Sequence, residues 1–511
     1  MVSTAVLAGC AVGPDTGPDI VTGGGGDDGA APSSSAPPAL PSVEAPRNEL
    51  AWRPCARETA SRYGVGAPGG VTIECADLDV PVDPNQPSGD TVTVAVTRAR
   101  VQATPAKAAP IVLTAGSDLP SSRALLMVAD GPARGLLAQH PVVAVDRRGI
   151  VASSELDCMT RAERSAMASN GLAGAPSVPQ ADRVARLARA ASSASDGCTE
   201  TLTPYQLSFG ASFAAADVEA LRIRWGVEHL ALLGVGEGSD VALTYASNYA
   251  GRAGRLILDT PTPFGANSRD RAGQQATGVQ ATLRTFAQRC AAAGACPLGA
   301  DGTATIGDVL AKGRTGRLGG ISDTQALSAI TTALAVNPND NRDLVALART
   351  VAAANRGDTS GLANLVSSAQ ELRTTDGQLV SRCNDVNGPV GQNEIPGLID
   401  SWSKQNPLTG ADAALSLMRC NAWSSSNPTN PPSGFPTDPL VLDGANDPIN
   451  GGGGADALGA LFIKAGARPT TVTWDGLGYS VMARSACAAD IVGQYLGNQP
   501  LGEPTERGCP T

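Results

Sequence analysis

Leu232-Leu233-Gly234-Val235-Gly236-Glu237-Gly238-Ser239 is the stretch that decides how this chain is read. It has the form of a nucleophile elbow, the tight G-x-S-x-G turn that lifts one serine hydroxyl above the C-terminal edge of a parallel sheet, but Gly236 stands where that serine would be. The flanks fit such a turn. Residues 213–225 carry apolar side chains at helical spacing, and His229-Leu-Ala-Leu-Leu233 is a short continuous apolar run, the pattern of a strand buried on both faces. Residues 239–250 then read as a helix and 255–259 as the next strand, so helix, strand, turn, helix and strand follow in the order of a doubly wound sheet. The glycines alone fit a nucleotide-binding loop of the G-x-G-x-x-G type equally well.

Composition narrows the class. With 511 residues, 42% hydrophobic and 17% charged, the chain can bury a large core and exceeds the usual size of one domain, so a core with an insertion is expected. A net charge of −10 offers no basic field for DNA or RNA, and no nucleic-acid partner is expected. No apolar run reaches the roughly 18–20 residues that span a bilayer. Neither a metal site nor a cofactor is expected.

Eleven cysteines are many for a reducing compartment, and the odd number sets one apart. Cys10 ends Val6-Leu7-Ala8-Gly9-Cys10, which resembles a bacterial lipobox, where the cysteine thiol carries a lipid after cleavage. Residues 1–9 lack the basic segment of a complete signal peptide, so the true start is expected upstream. Residues 11–48, rich in Gly, Asp, Pro, Ser and Ala, carry too little apolar surface to fold and read as a disordered tether with a reach on the order of 35 Å. The membrane is then met through a lipid anchor alone, on the outer face of the cell membrane or in the cell envelope. Order and spacing pair the other ten cysteines as Cys55–Cys75, Cys158–Cys198, Cys290–Cys296, Cys383–Cys420 and Cys487–Cys509, although connectivity is formally undetermined.

Beyond the tether, Trp52-Arg-Pro-Cys55, Glu74-Cys75-Ala-Asp-Leu-Asp-Val-Pro81-Val-Asp83, Val143-Ala-Val-Asp146-Arg147-Arg148-Gly149 and Leu156-Asp157-Cys158 precede the turn. In that order, and together with the turn, they resemble the secreted actinobacterial α/β-hydrolases of the tripeptidyl aminopeptidase type, across roughly residues 50–509. The resemblance implies an α/β-hydrolase fold: a mostly parallel, doubly wound sheet with an inserted helical cap. It places core at 49–265, cap at 266–436 and the C-terminal core at 437–511. Helical spacing over 277–289 and 343–353 suits such a cap.

In that family a Ser-Asp-His triad removes short N-terminal peptides. Gly444-Ala-Asn-Asp447-Pro448 matches the family's G-x-x-D-P turn, which puts Asp447 at the acid position. Tyr479 stands where the family carries its histidine base, its hydroxyl expected near Asp447. The asparagine-proline-glycine-glycine-proline-glycine loop of the oxyanion hole is represented here by Ala115-Gly116-Ser117-Asp118, with Glu237 after the nucleophile position. A carboxylate there opposes the charge that such a hole stabilises. His140 and His229, the only two histidines, precede apolar strands and so sit at the wrong end of the sheet; seven strand residues put His229 roughly 23 Å from Gly236.

Losing the nucleophile of a serine hydrolase costs on the order of a millionfold in turnover, and losing the base as well adds little. The reading is therefore a protein that holds a peptide or an envelope protein without catalysis. The alternative is an active serine-type peptidase or esterase whose nucleophile has moved to Ser239 or Ser480.

Overall fold

The structure is a computed structural model that describes residues 40–173 and 177–511; Cys10 and the tether up to residue 39 lie outside the described residues. Ten strands form one sheet: β1 (Arg53–Pro54), β2 (Thr72–Pro81), β3 (Thr91–Arg100), β4 (Ile111–Thr114), β5 (Val142–Val145), β6 (Leu230–Val235), β7 (Ala253–Asp259), β8 (Leu440–Asn446), β9 (Thr470–Leu477) and β10 (Glu506–Cys509). Their spatial order is β1-β2-β3-β5-β4-β6-β7-β8-β9-β10. The first three strands pair antiparallel and β3 meets β5 antiparallel, whereas every pair from β5 to β10 is parallel. This is the mostly parallel α/β-hydrolase sheet.

Every residue of β4, β5, β6 and β7 is buried, which is why those strands are continuous apolar runs and not alternating ones. Helices Ser121–Asp130 and Ala486–Tyr495 close one face, and helices Ala211–Trp225 and Gly238–Asn248 close the other. The chain leaves β4 toward β5 on one side and returns through β6 on the other. The loops after β4 and β6 therefore part at a topological switch point, where α/β sheets place their clefts.

Among the described residues, no helix is long and apolar enough to cross a membrane. Residues 40–48, expected within the tether, lie against the fold. Val43 packs on the core, and the backbone N–H of Arg47 donates to Trp225 O at 2.8 Å.

Eight α-helices between Ser268 and Ser416 and a 3-10 segment, Leu417–Cys420, cover the cleft. They do not act alone. Helices Arg161–Ala168 and Gln180–Leu202, which the sequence places in the core, share one apolar cluster with the cap helices Asp376–Asn384, Ile395–Gln405 and Gly410–Ser416. Charge reinforces this: Arg183 forks onto Asp323 at 2.8 and 3.0 Å, and Arg164 Nε reaches Asp376 at 2.7 Å. The cap is thus built from two insertions, after β5 and after β7.

The Asp146-Arg147-Arg148 triplet after β5 is structural. Asp146 accepts from the Ser122 N–H and hydroxyl at 2.9 and 2.6 Å. Arg148 is fully buried on Asp217 and on the Val82 and Ser208 carbonyls. Disulfides join Cys55 to Cys75, Cys158 to Cys198, Cys290 to Cys296, Cys383 to Cys420 and Cys487 to Cys509.

Candidate functional site

Gly236 turns the chain from β6 into the helix Gly238–Asn248 with φ +56°, a left-handed conformation that strains any residue with a Cβ. Its N–H donates to Asp259 O at 2.9 Å, which pins the turn to the end of β7. A Cβ at this position would lie 2.2 Å from Asp118 Oδ2, 2.6 Å from Asn450 Nδ2 and 2.9 Å from Tyr479 Cε2. The space of a nucleophile is occupied.

Its occupant is Asp118, brought in by the loop after β4, where Gly116 (φ +67°) lies against the Glu237 backbone. Asp118 Oδ2 accepts from the backbone N–H of Glu237 at 3.1 Å and from Asn450 Nδ2 at 2.8 Å. The N–H after the nucleophile position is the donor that an elbow offers to an oxyanion. Here the protein's own carboxylate takes it.

Asp447 sits at the base of the loop after β8. Its Oδ1 accepts from the N–H groups of Ile449 and Asn450 at 2.7 and 3.1 Å, and its Oδ2 from Asn450 Nδ2 at 3.2 Å. One amide group thus bridges the two buried carboxylates. With Asp447 engaged by its own loop, the Tyr479 hydroxyl does not bond it, contrary to expectation. That hydroxyl lies 3.1 Å from both Asp118 Oδ1 and Val235 O. One phenolic proton cannot serve two acceptors. A proton on Asp118 resolves the conflict, with the acid donating to the tyrosine oxygen and the tyrosine to Val235 O.

Electrostatics agree. Burial pushes the Asp118 carboxyl up to about 8, and the charge of Glu237 adds to the rise. Burial likewise raises Asp447, and it raises Tyr479 well above the usual phenol range. Burial alone would push Glu237 up too. Arg382, the Ser117 hydroxyl, Arg271 and Arg147 together hold it below the usual range. Within this pair Glu237 is favoured as the anion and Asp118 as the carboxyl that holds a proton.

The other serines are engaged. Ser239 is fully buried and donates to Gly236 O at 2.7 Å; Ser480 donates to Asp259 Oδ2 at 2.7 Å; Ser117 donates to Glu237. None of these three meets an imidazole. His140 Nδ1 lies 2.9 Å from Ala109 O, and His229 precedes β6, so both stand at the far ends of their strands. Among the described residues no cluster of His, Cys, Asp and Glu could hold a metal ion. Sequence reasoning missed Asn450, although an Asp-Pro-x-Asn stretch is itself a turn signal.

Residues 406–506 match the family model described as TAP-like protein. The serine protease Hip1 of Mycobacterium tuberculosis and of Mycobacterium bovis is 28% identical over 256 residues, 49% of this chain and 47% of the relative. This chain therefore spans about half the length of the curated relatives it matches. Among solved structures, esterase E22 aligns at 15% identity with a TM-score of 0.37, covering 84% of this chain and 100% of that one. A proline iminopeptidase of Mycobacterium smegmatis aligns at 13% with 0.35, covering 82% and 97%. The sheet order and the strand-turn-helix at Gly236 give this chain an α/β-hydrolase fold, and its residues 406–506 are similar to the TAP-like family.

Proposed function

We propose that this chain is a non-catalytic binding module of the cell envelope, held there by a lipid on Cys10, and that it binds a peptide or a protein partner in the cleft beneath the cap. The observation that carries the reading is the filled nucleophile space: a side chain at Gly236 would overlap Asp118, which already holds the Glu237 N–H. Serine-hydrolase chemistry needs a nucleophile, a base within hydrogen-bond reach and a free oxyanion donor. Gly236, Tyr479 and Asp118 stand in those three places. The Hip1 relatives are named as serine proteases, so cleft and cap descend from a peptide-handling ancestor in this reading. Turnover of tripeptidyl and aminoacyl chromogenic substrates and of short esters by the purified protein tests it. The expected result is the uncatalysed rate; turnover abolished by Ser239→Ala, Ser480→Ala or Ser117→Ala would favour the peptidase or esterase alternative.

A further inference from the structure

Three cap guanidinium groups line one cavity of about 190 Å³ beside Glu237. Arg373 ends the helix Ser360–Arg373, Arg382 lies in the helix Asp376–Asn384, and Arg419 belongs to the segment Leu417–Cys420. The Cys383–Cys420 disulfide ties the last two segments together at the residue after each arginine. Arg382 is already engaged, with Nε 3.4 Å from Glu237 Oε1 and Nη2 donating to Ser117 O at 3.0 Å. Arg373 is not: Nη1 donates to Thr332 Oγ1 at 3.3 Å, and Nε is buried without a partner. Arg419 donates from Nε to Asn170 Oδ1 at 2.8 Å.

Among the described residues neither Arg373 nor Arg419 forms an ion pair. Burial accordingly lowers both, Arg419 to about 10, and Arg382 depresses Arg373 further by like charge. Buried cations without counter-ions are costly, and a bound anion offsets that cost. The other acid in the cavity wall is Asp412, whose Oδ1 accepts from Asn170 Nδ2 at 2.9 Å. Arg382 is matched to Glu237 and Asp118 is engaged by Asn450 and the Glu237 N–H, so Arg373 and Arg419 are left with Asp412 as the one further carboxylate in the wall. The cavity is thus one negative charge short of its guanidinium groups. A planar guanidinium fork matches a carboxylate, and apolar walls at Leu327 and Leu379 suit an organic anion more than a mineral one.

We propose that this cavity binds the carboxylate of a peptide, with Arg373 and Arg419 as its guanidinium partners and Leu327 and Leu379 against the adjoining side chain. The proposal rests on the binding-module reading and adds the chemical class of the ligand. Calorimetric titration of the intact protein with N-acetyl-Ala-Leu, its C-terminal amide, N-acetyl-Glu amide and inorganic phosphate tests it, each cell being checked by mass spectrometry for cleavage. Binding of one or both carboxylate peptides is expected, a chain terminus and an acidic side chain being told apart by which one binds. The neutral amide, and the variants Arg373→Gln and Arg419→Gln, should bind about tenfold or more weakly. Because each variant removes an uncompensated buried charge, its melting temperature should not fall below the parent's, which separates lost binding from lost folding. Equal binding of acid and amide, indifference to both substitutions, no binding at all, or a preference for phosphate would overturn the carboxylate site. Cleavage of a peptide in the cell would instead overturn the binding-module reading beneath it.

Discussion

Asp118 is the residue on which the site turns. Its native proton affinity, raised to about 8, exceeds that of an unfolded aspartate, so the folded state binds the extra proton between the two values. Stability from this group is fully present below the unfolded value and is lost as pH rises toward about 8, by about 1.4 kcal/mol per pH unit within the window. Asp118→Asn keeps the shape of the neutral acid. It should flatten that slope and raise the denaturant midpoint at pH 7 and above, as urea titrations at pH 5, 7 and 9 would read; a parallel slope in the variant would mean that Asp118 is ionised. At this scale the sequence was half legible. Gly236 in the turn after β6 and Tyr479 after β9 are visible as letters. The Asp447–Asn450 contact, three residues apart, lies within a local turn, but that Asn450 would also reach Asp118 in the space beside Gly236 depends on a contact 332 residues apart along the chain, which no local pattern encodes.

At the scale of elements, the loop after β8 is seated by cap helix Ser268–Ala292. Gly278 on that helix meets the loop so closely that a Cβ would lie 1.6 Å from Gly451 O, and Gln275 Nε2 donates to Ile449 O at 2.7 Å. Gly278→Ala should therefore push the Asp447–Asn450 turn out of register and cost about 1–3 kcal/mol. Thermal unfolding measures the cost; an unchanged midpoint would show that helix and loop separate freely. The strands flanking the turn and the helices of the second insertion were readable because their periodicity is strong. Assigning 161–202 to the cap was not possible from pattern. An amphipathic helix announces an apolar face, whereas its partners here, around Asp323 and Asp376, lie more than a hundred residues onward.

For the whole molecule, ten cysteines in five bonds fit an oxidising compartment, and the sheet order fits the family resemblance read from the motifs. The three-arginine cavity was invisible in sequence, because its members come from separate cap segments and share no spacing rule. Cys383–Cys420 holds two of those segments, so Cys383→Ala with Cys420→Ala should lose about 2–4 kcal/mol by denaturant titration; a smaller loss would leave the cap held by packing alone. The central claim concerns the whole site: the fold is that of an α/β-hydrolase, and Asp118 fills the space that a side chain at Gly236 would take. Intact-mass measurement after fluorophosphonate treatment tests it most directly, on the native protein, on Gly236→Ser/Tyr479→His and on that pair combined with Asp118→Ala. The account predicts no adduct on the first two, because Asp118 still holds the Glu237 N–H, and an adduct on the third. A stoichiometric adduct on the native protein would contradict it.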